Sequence, residues 1–129
     1  MQLLNPAHWK SPKGYANGVS ASGRMVFTGG VVGWDEEERF PSDFIAQVHQ
    51  ALSNIVTILA EGDARPEHLV RMTWYITDKQ EYLSRLSEMG EVYRSTIGRH
   101  FPAMTMVVAA GLIEDEAKLE IEATAVVPE

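Results

Sequence analysis

The chain has 129 residues, enough for one hydrophobic core and too few for two, and it reads as a single domain, 1–129. It has no cysteine, which excludes disulfides, a thiol nucleophile and thiolate-ligated zinc. The formal net charge is −7, and Arg24, Arg39, Arg65, Arg71, Arg85, Arg94 and Arg99 are scattered rather than clustered, so a phosphate backbone is a poor partner.

No apolar run is long enough to span a bilayer, and Met1–Lys10 lacks the pattern of a signal peptide. With the missing disulfides, this sets a cytoplasmic location as the expectation. Residues 1–13 carry Pro6 and Pro12 among polar residues and read as an irregular arm. Tyr15–Ser20 and Arg24–Thr28 are extended runs. The three residues between them suit a hairpin loop, in which Gly23 can take positive φ. Gly29, Gly30 and Gly33 then mark a loop whose backbone passes close to something. Phe44, Val48, Leu52, Ile55 and Leu59 recur at steps of three or four and predict a helix over 43–61, capped by Ser42 or Asp43 and ended at Gly62. Val70, Met72, Trp74 and Ile76 alternate with Arg71, Thr73, Tyr75 and Thr77, which is a strand period. Asp78, with Glu81 three residues on, resembles a capping box for a second helix over 79–97, its stripe Leu83, Leu86, Tyr93 and Ile97. Met104–Ala109 is a strand and Gly111–Ala117 a turn. In Lys118–Val127, Leu119, Ile121, Ala123, Ala125 and Val127 share one face, with Glu120 and Glu122 on the other.

This order predicts an α+β two-layer sandwich, a mixed sheet with two helices on one face. Several strands are nonetheless apolar on both faces: Met25 and Phe27 oppose Val26, Trp74 opposes Tyr75, and Met104 and Met106 oppose Val107. An uncovered apolar face of that size is rare in a monomer, and a second copy of the same sheet is the simplest cover. A homo-oligomer with closed symmetry is the expectation; the alternative is a half-wetted sheet.

Four segments together resemble the RidA (YjgF/YER057c/UK114) family. They are Tyr15 with Gly23–Gly29, Gln47–Ile55, Val70–Asp78, and Phe101–Thr105 with Leu119–Ala123. The resemblance implies a chorismate-mutase-like fold, a homotrimer and a small-molecule cleft at each subunit boundary. It also implies hydrolysis of enamines or imines; no cofactor is expected. Departures accompany it. Active imine deaminases of the family carry an arginine after Pro-Ala, whose planar fork grips the substrate carboxylate; Met104 stands there. The family's Ser-Gly-Gln is Thr28-Gly29-Gly30, and an asparagine of the second helix is Gly90.

Glu120 lies on the face away from the helices, toward a partner subunit, where a partly desolvated carboxylate suits proton transfer. The resemblance implies that it orients water; the plainer reading is a structural glutamate at an interface. A paired-carboxylate role with Glu122 is the weaker idea. Tyr15 either donates to a ligand or packs. Thr28, Gly29 and Gly30 line the cleft by resemblance, and the glycines either form an anion nest or simply turn. Trp34 is a ligand wall or a loop anchor. Met104, with Met106, lines an apolar pocket or the interface, and Thr105 belongs to the cleft by its place in the matched motif. Arg99 and His100 either replace the lost clamp or neutralise a helix C-terminus. His8, His49, His68 and His100 lack metal-ligand spacing. The resemblance leaves three functions open: an enamine or imine deaminase, a non-catalytic metabolite-binding trimer, and an endoribonuclease, which the acidic charge opposes.

Overall fold

The structure is a computed structural model describing residues 1–129. Its elements run β1 (Gln2–Leu4), β2 (Gly18–Ser20), β3 (Arg24–Phe27), β4 (Val31–Val32), α1 (Phe44–Glu61), β5 (Leu69–Ile76), α2 (Lys79–Ser84), α3 (Leu86–Thr96), β6 (Ala103–Val108) and β7 (Leu119–Val127). The hub is β7, the strand with the clearest alternation. It pairs antiparallel with β5 on one side and with β3 and β4 in succession on the other, and β6 extends β5 in parallel. Leu119, Ile121, Ala123 and Ala125 of β7 enter one core with Met72, Trp74 and Ile76 of β5 and the buried stripe of α1. The two-layer α+β arrangement is as expected from the periodicities.

Helix α1 starts where Asp43 accepts a hydrogen bond from the Ala46 N–H and ends at Gly62. The left-handed conformation at this end falls on Asp63, φ 55°, rather than on the glycine. Phe44, Val48, Leu52, Ile55 and Leu59 are all buried. At about 1.5–3 kcal/mol for each large side chain removed from water, this stripe holds the helix to the sheet far more strongly than its intrinsic propensity does.

The structure departs from expectation in five places. The N-terminal arm is not wholly irregular, because β1 pairs with β2 as a separate two-stranded sheet. The hairpin does not form, because β2 pairs with β1 while β3 pairs with β7. Gly23 keeps its predicted positive φ, at 145°, but for a different reason: any Cβ there would collide with the Val127 carbonyl. The glycine loop contains the short strand β4. In β5 a register shift between Leu69 and Arg71 turns Leu69 inward and leaves Val70 half-buried. The second helix breaks at Arg85, whose guanidinium reaches Asp43 at the start of α1 and grips both oxygens of Glu88. The break leaves Leu83 and Leu86 exposed, while Tyr93 and Ile97 are buried as predicted and Met89 joins them.

Candidate functional site

The residues singled out from sequence fall into two groups, on opposite faces of the sheet. The first surrounds a cavity of about 490 Å³ between α2, α3 and the strands β5 and β6. Tyr15 stands at its mouth, and Met104 and Met106 of β6 form one wall; Thr105 lies between them in the lining, but by its pairing with Thr73, itself opposite Glu122, its side chain is on the open face. Met104 pairs with Met72, so its side chain is on the helix side of the sheet. Leu86, exposed to solvent, lies over the cavity from the start of α3. Tyr93 stacks on Phe101 with centroids 5.3 Å apart and donates to the His100 carbonyl at 2.6 Å. Burial raises its phenol pKa above the ordinary range, so it stays a hydrogen-bond donor.

Two further features belong to this cavity: Gly90, already marked as a departure from the family's asparagine, and the unpartnered donor of Trp74. Gly90 lines it from within α3, where glycine costs a helix about 1 kcal/mol relative to alanine. A Cβ there would meet only the flexible end of Arg94, so neither backbone conformation nor tight packing calls for the glycine. Trp74 is also among the lining residues. It is 3% exposed, and its Nε1–H has no hydrogen-bond partner. The strand period placed Trp74 correctly, but its unpartnered donor has no sequence signal.

The second group lies on the open face. Glu120 pairs in register with Tyr75 and Val32. The Cα of Gly30 packs so closely on it that any Cβ would overlap Glu120 Oε2. Thr28 sits where β3 gives way to β4 and repairs the ladder. Its N–H donates to the Ala123 carbonyl, and its hydroxyl accepts from the Ala123 N–H at 3.0 Å and donates to the Gly29 carbonyl. That hydroxyl is therefore committed within the fold. Gly29 has open space around it. The Tyr75 hydroxyl donates to Glu122 Oε1 at 2.9 Å. This bond, with the charges of Glu122 and Glu120 nearby, pushes the Tyr75 pKa up. Glu122 thus has a partner of its own. Met25 and Phe27 lie on this side, 57% and 63% exposed, with Val107 beyond them.

The remaining candidates belong to neither group. Trp34 packs on Phe40 at 5.6 Å, and its carbonyl accepts from Asn54 Nδ2 at 2.8 Å, the geometry of a loop anchor. Gly33 lets the loop touch the α1 backbone at Gln47. His100 Nε2 bonds the Leu69 carbonyl at 2.7 Å and Arg99 is exposed; neither lines the cavity as a replacement clamp. Gln47 is the polar residue that sequence reasoning passed over. Buried on the α1 stripe, it donates to the Pro41 and Glu116 carbonyls and accepts from the Lys118 N–H, stapling two loops to the start of β7. Its spacing from Phe44 and Ala51 was the available signal.

Residues 7–127 match the family model described as Endoribonuclease L-PSP. Among curated proteins, a RutC family protein of Haemophilus influenzae is 29% identical over 81% of this chain and 80% of its own. Protein DfrA of Myxococcus xanthus is 30% identical over 81% and 78%. Among solved structures, the Rid-family protein YyfB of Yersinia pestis superposes with a TM-score of 0.85 at 26% identity, covering 98% of both chains. The structure of Escherichia coli TdcF with bound serine gives a TM-score of 0.69 at 29% identity, covering 98% of this chain and 99% of the other.

Proposed function

This chain belongs to the YjgF/Rid family, with its chorismate-mutase-like fold, and from that premise we propose that it hydrolyses small enamine or imine intermediates in a cleft between subunits of a homotrimer. The observation that carries the proposal is the placement of Glu120: a carboxylate held against the Gly30 backbone on a sheet face rich in exposed apolar side chains. Within one protomer the sheet separates Glu120 from the cavity of Tyr15 and Met104. The two groups meet only where the open face of one copy abuts the cavity edge of another. TdcF with bound serine supports a small-molecule ligand.

In this mechanism Glu120 accepts a proton from water as the oxygen attacks the C=N carbon. It returns that proton to the nitrogen, and the carbinolamine collapses to a carbonyl compound and ammonia. Met104 offers neither charge nor donor, so the substrate carries no α-carboxylate, or holds it elsewhere.

Ammonia release from imines generated in situ tests the reading. Glu120→Gln is expected to slow release by about 100-fold or more. Wild type is expected to turn over 2-imino acids poorly, and Met104→Arg to improve them. Full activity in Glu120→Gln overturns the mechanism.

A second reading, a trimer that binds a metabolite without reacting, is favoured by Met104 in place of the arginine. In that case Glu120→Gln alters affinity and no rate. The endoribonuclease reading, which the family model's description favours, meets a net charge of −7.

A further inference from the structure

Three features of the cavity beneath α2 and α3 have no explanation in the fold alone. A helical glycine stands where only the flexible end of Arg94 occupies the room of a side chain. A buried indole N–H, a group that native interiors almost always pair, has no partner. The lining is mostly apolar, with Lys13 at the mouth its only charged side chain. We propose that this cavity takes a ligand with a flat apolar body and one uncharged hydrogen-bond acceptor, and that Trp74 Nε1 is the donor that recognises it. The chemical class is an aromatic or otherwise unsaturated carbonyl or imine compound. This deepens the reading above, and rests on it in taking Tyr15 and Met104 as the ligand end of the cleft.

The physical case is one of complementarity. An apolar hollow lined by methionine and aromatic rings fits an unsaturated body of ordinary metabolite size. No acid lines the wall to receive an ammonium group. A carboxylate driven to the floor would be buried without a counter-charge. A neutral acceptor is what an isolated N–H can satisfy. The indole is sealed in the unliganded chain. Met89, Met104 and Met106 share the cavity with it, and such unbranched side chains move aside without backbone change. Gly90 supplies the matching space on the helix side.

Acetophenone and ethylbenzene are the probes, because they are nearly isosteric and only the first carries an acceptor. The readout is the indole ¹H–¹⁵N spectrum, with three tryptophan signals assigned through Trp9→Phe and Trp34→Phe. Acetophenone is expected to move the Trp74 signal downfield, and ethylbenzene to bind without doing so. Wild type should prefer acetophenone by about three- to tenfold, the range of one net hydrogen bond. Trp74→Phe should erase that preference while retaining ethylbenzene, and Gly90→Leu should weaken both probes. The proposal is overturned if saturating acetophenone leaves the Trp74 signal in place, or if the preference survives in Trp74→Phe. It is likewise overturned if Gly90→Leu leaves both affinities unchanged. Should Trp74→Phe not fold, the wild-type spectrum and Gly90→Leu decide alone. None of these measurements uses turnover. Loss of probe binding with ammonia release intact sinks this inference only, and binding without any ammonia release sinks only the deaminase reading.

Discussion

Gly30 lacks a side chain where the Glu120 carboxylate occupies the room one would need, whereas its neighbour Gly29 has open space. The pair forms an internal control. Gly30→Ala should displace the carboxylate and cut ammonia release by about 100-fold, the cost of misplacing a reacting group by an ångström. Gly29→Ala should leave the rate near wild type. Equal effects of the two would mean that Glu120 needs no fixed position. Thr28 makes a related point: its hydroxyl bonds identify a ladder repair, so any contact it makes with a ligand comes second to that task.

At the scale of elements, Gln47 and Arg85 hold pieces together that periodicity alone treats as independent. Gln47→Leu leaves the Lys118 N–H and two loop carbonyls without their partner, and the expected loss is about 2–4 kcal/mol in denaturant unfolding. A neutral result would show that water replaces the amide. Arg85 links the start of α1 to α3. Its hydrogen bonds hold the Asp43 and Glu88 carboxyls below their ordinary values of 3.8 and 4.5. A depressed folded-state pKa means that the unfolded chain binds more protons in acid. The contribution is therefore whole above the ordinary values and lost as pH falls through the folded ones. The difference in Tm between wild type and Arg85→Ala should be full at pH 6 and shrink as pH drops below about 4. A gap that stays constant down to the acid limit would mean that the carboxyls are not the origin. These groups are solvent-exposed, so added salt should narrow the gap as well.

For the whole molecule, the deciding surface is the open face of the sheet. Met25, Phe27 and Val107 are exposed there beside Glu120, with no helix to cover them. Phe27→Asp should convert the proposed trimer to a monomer by light scattering. Because Phe27 contributes nothing to the core, the circular dichroism should be unchanged, while ammonia release disappears with the cleft. A wild-type chain that runs as a monomer at working concentration would remove the premise. So would Phe27→Asp that stays fully active. No helix is long and apolar enough to cross a membrane.

Local periodicity determined what depends on neighbours in the chain. It placed α1 with its cap at Ser42 or Asp43, the alternation of β7, and Glu120 on the face away from the helices, because burial repeats every 3.6 or every 2 residues. It also showed that several strands are apolar on both sides. Partner choice was not local. Whether Gly18–Ser20 pairs with the arm or with β3, and whether residues 79–97 form one helix or two, turned on distant groups. These were the edge of β7 open to β3 and Asp43 at the start of α1, 42 residues from Arg85. The division of the site was decided in the same way. Tyr15 and Met104 share a cavity from which a layer of backbone excludes Glu120, and no pattern along the chain records on which side of a sheet a loop comes to rest.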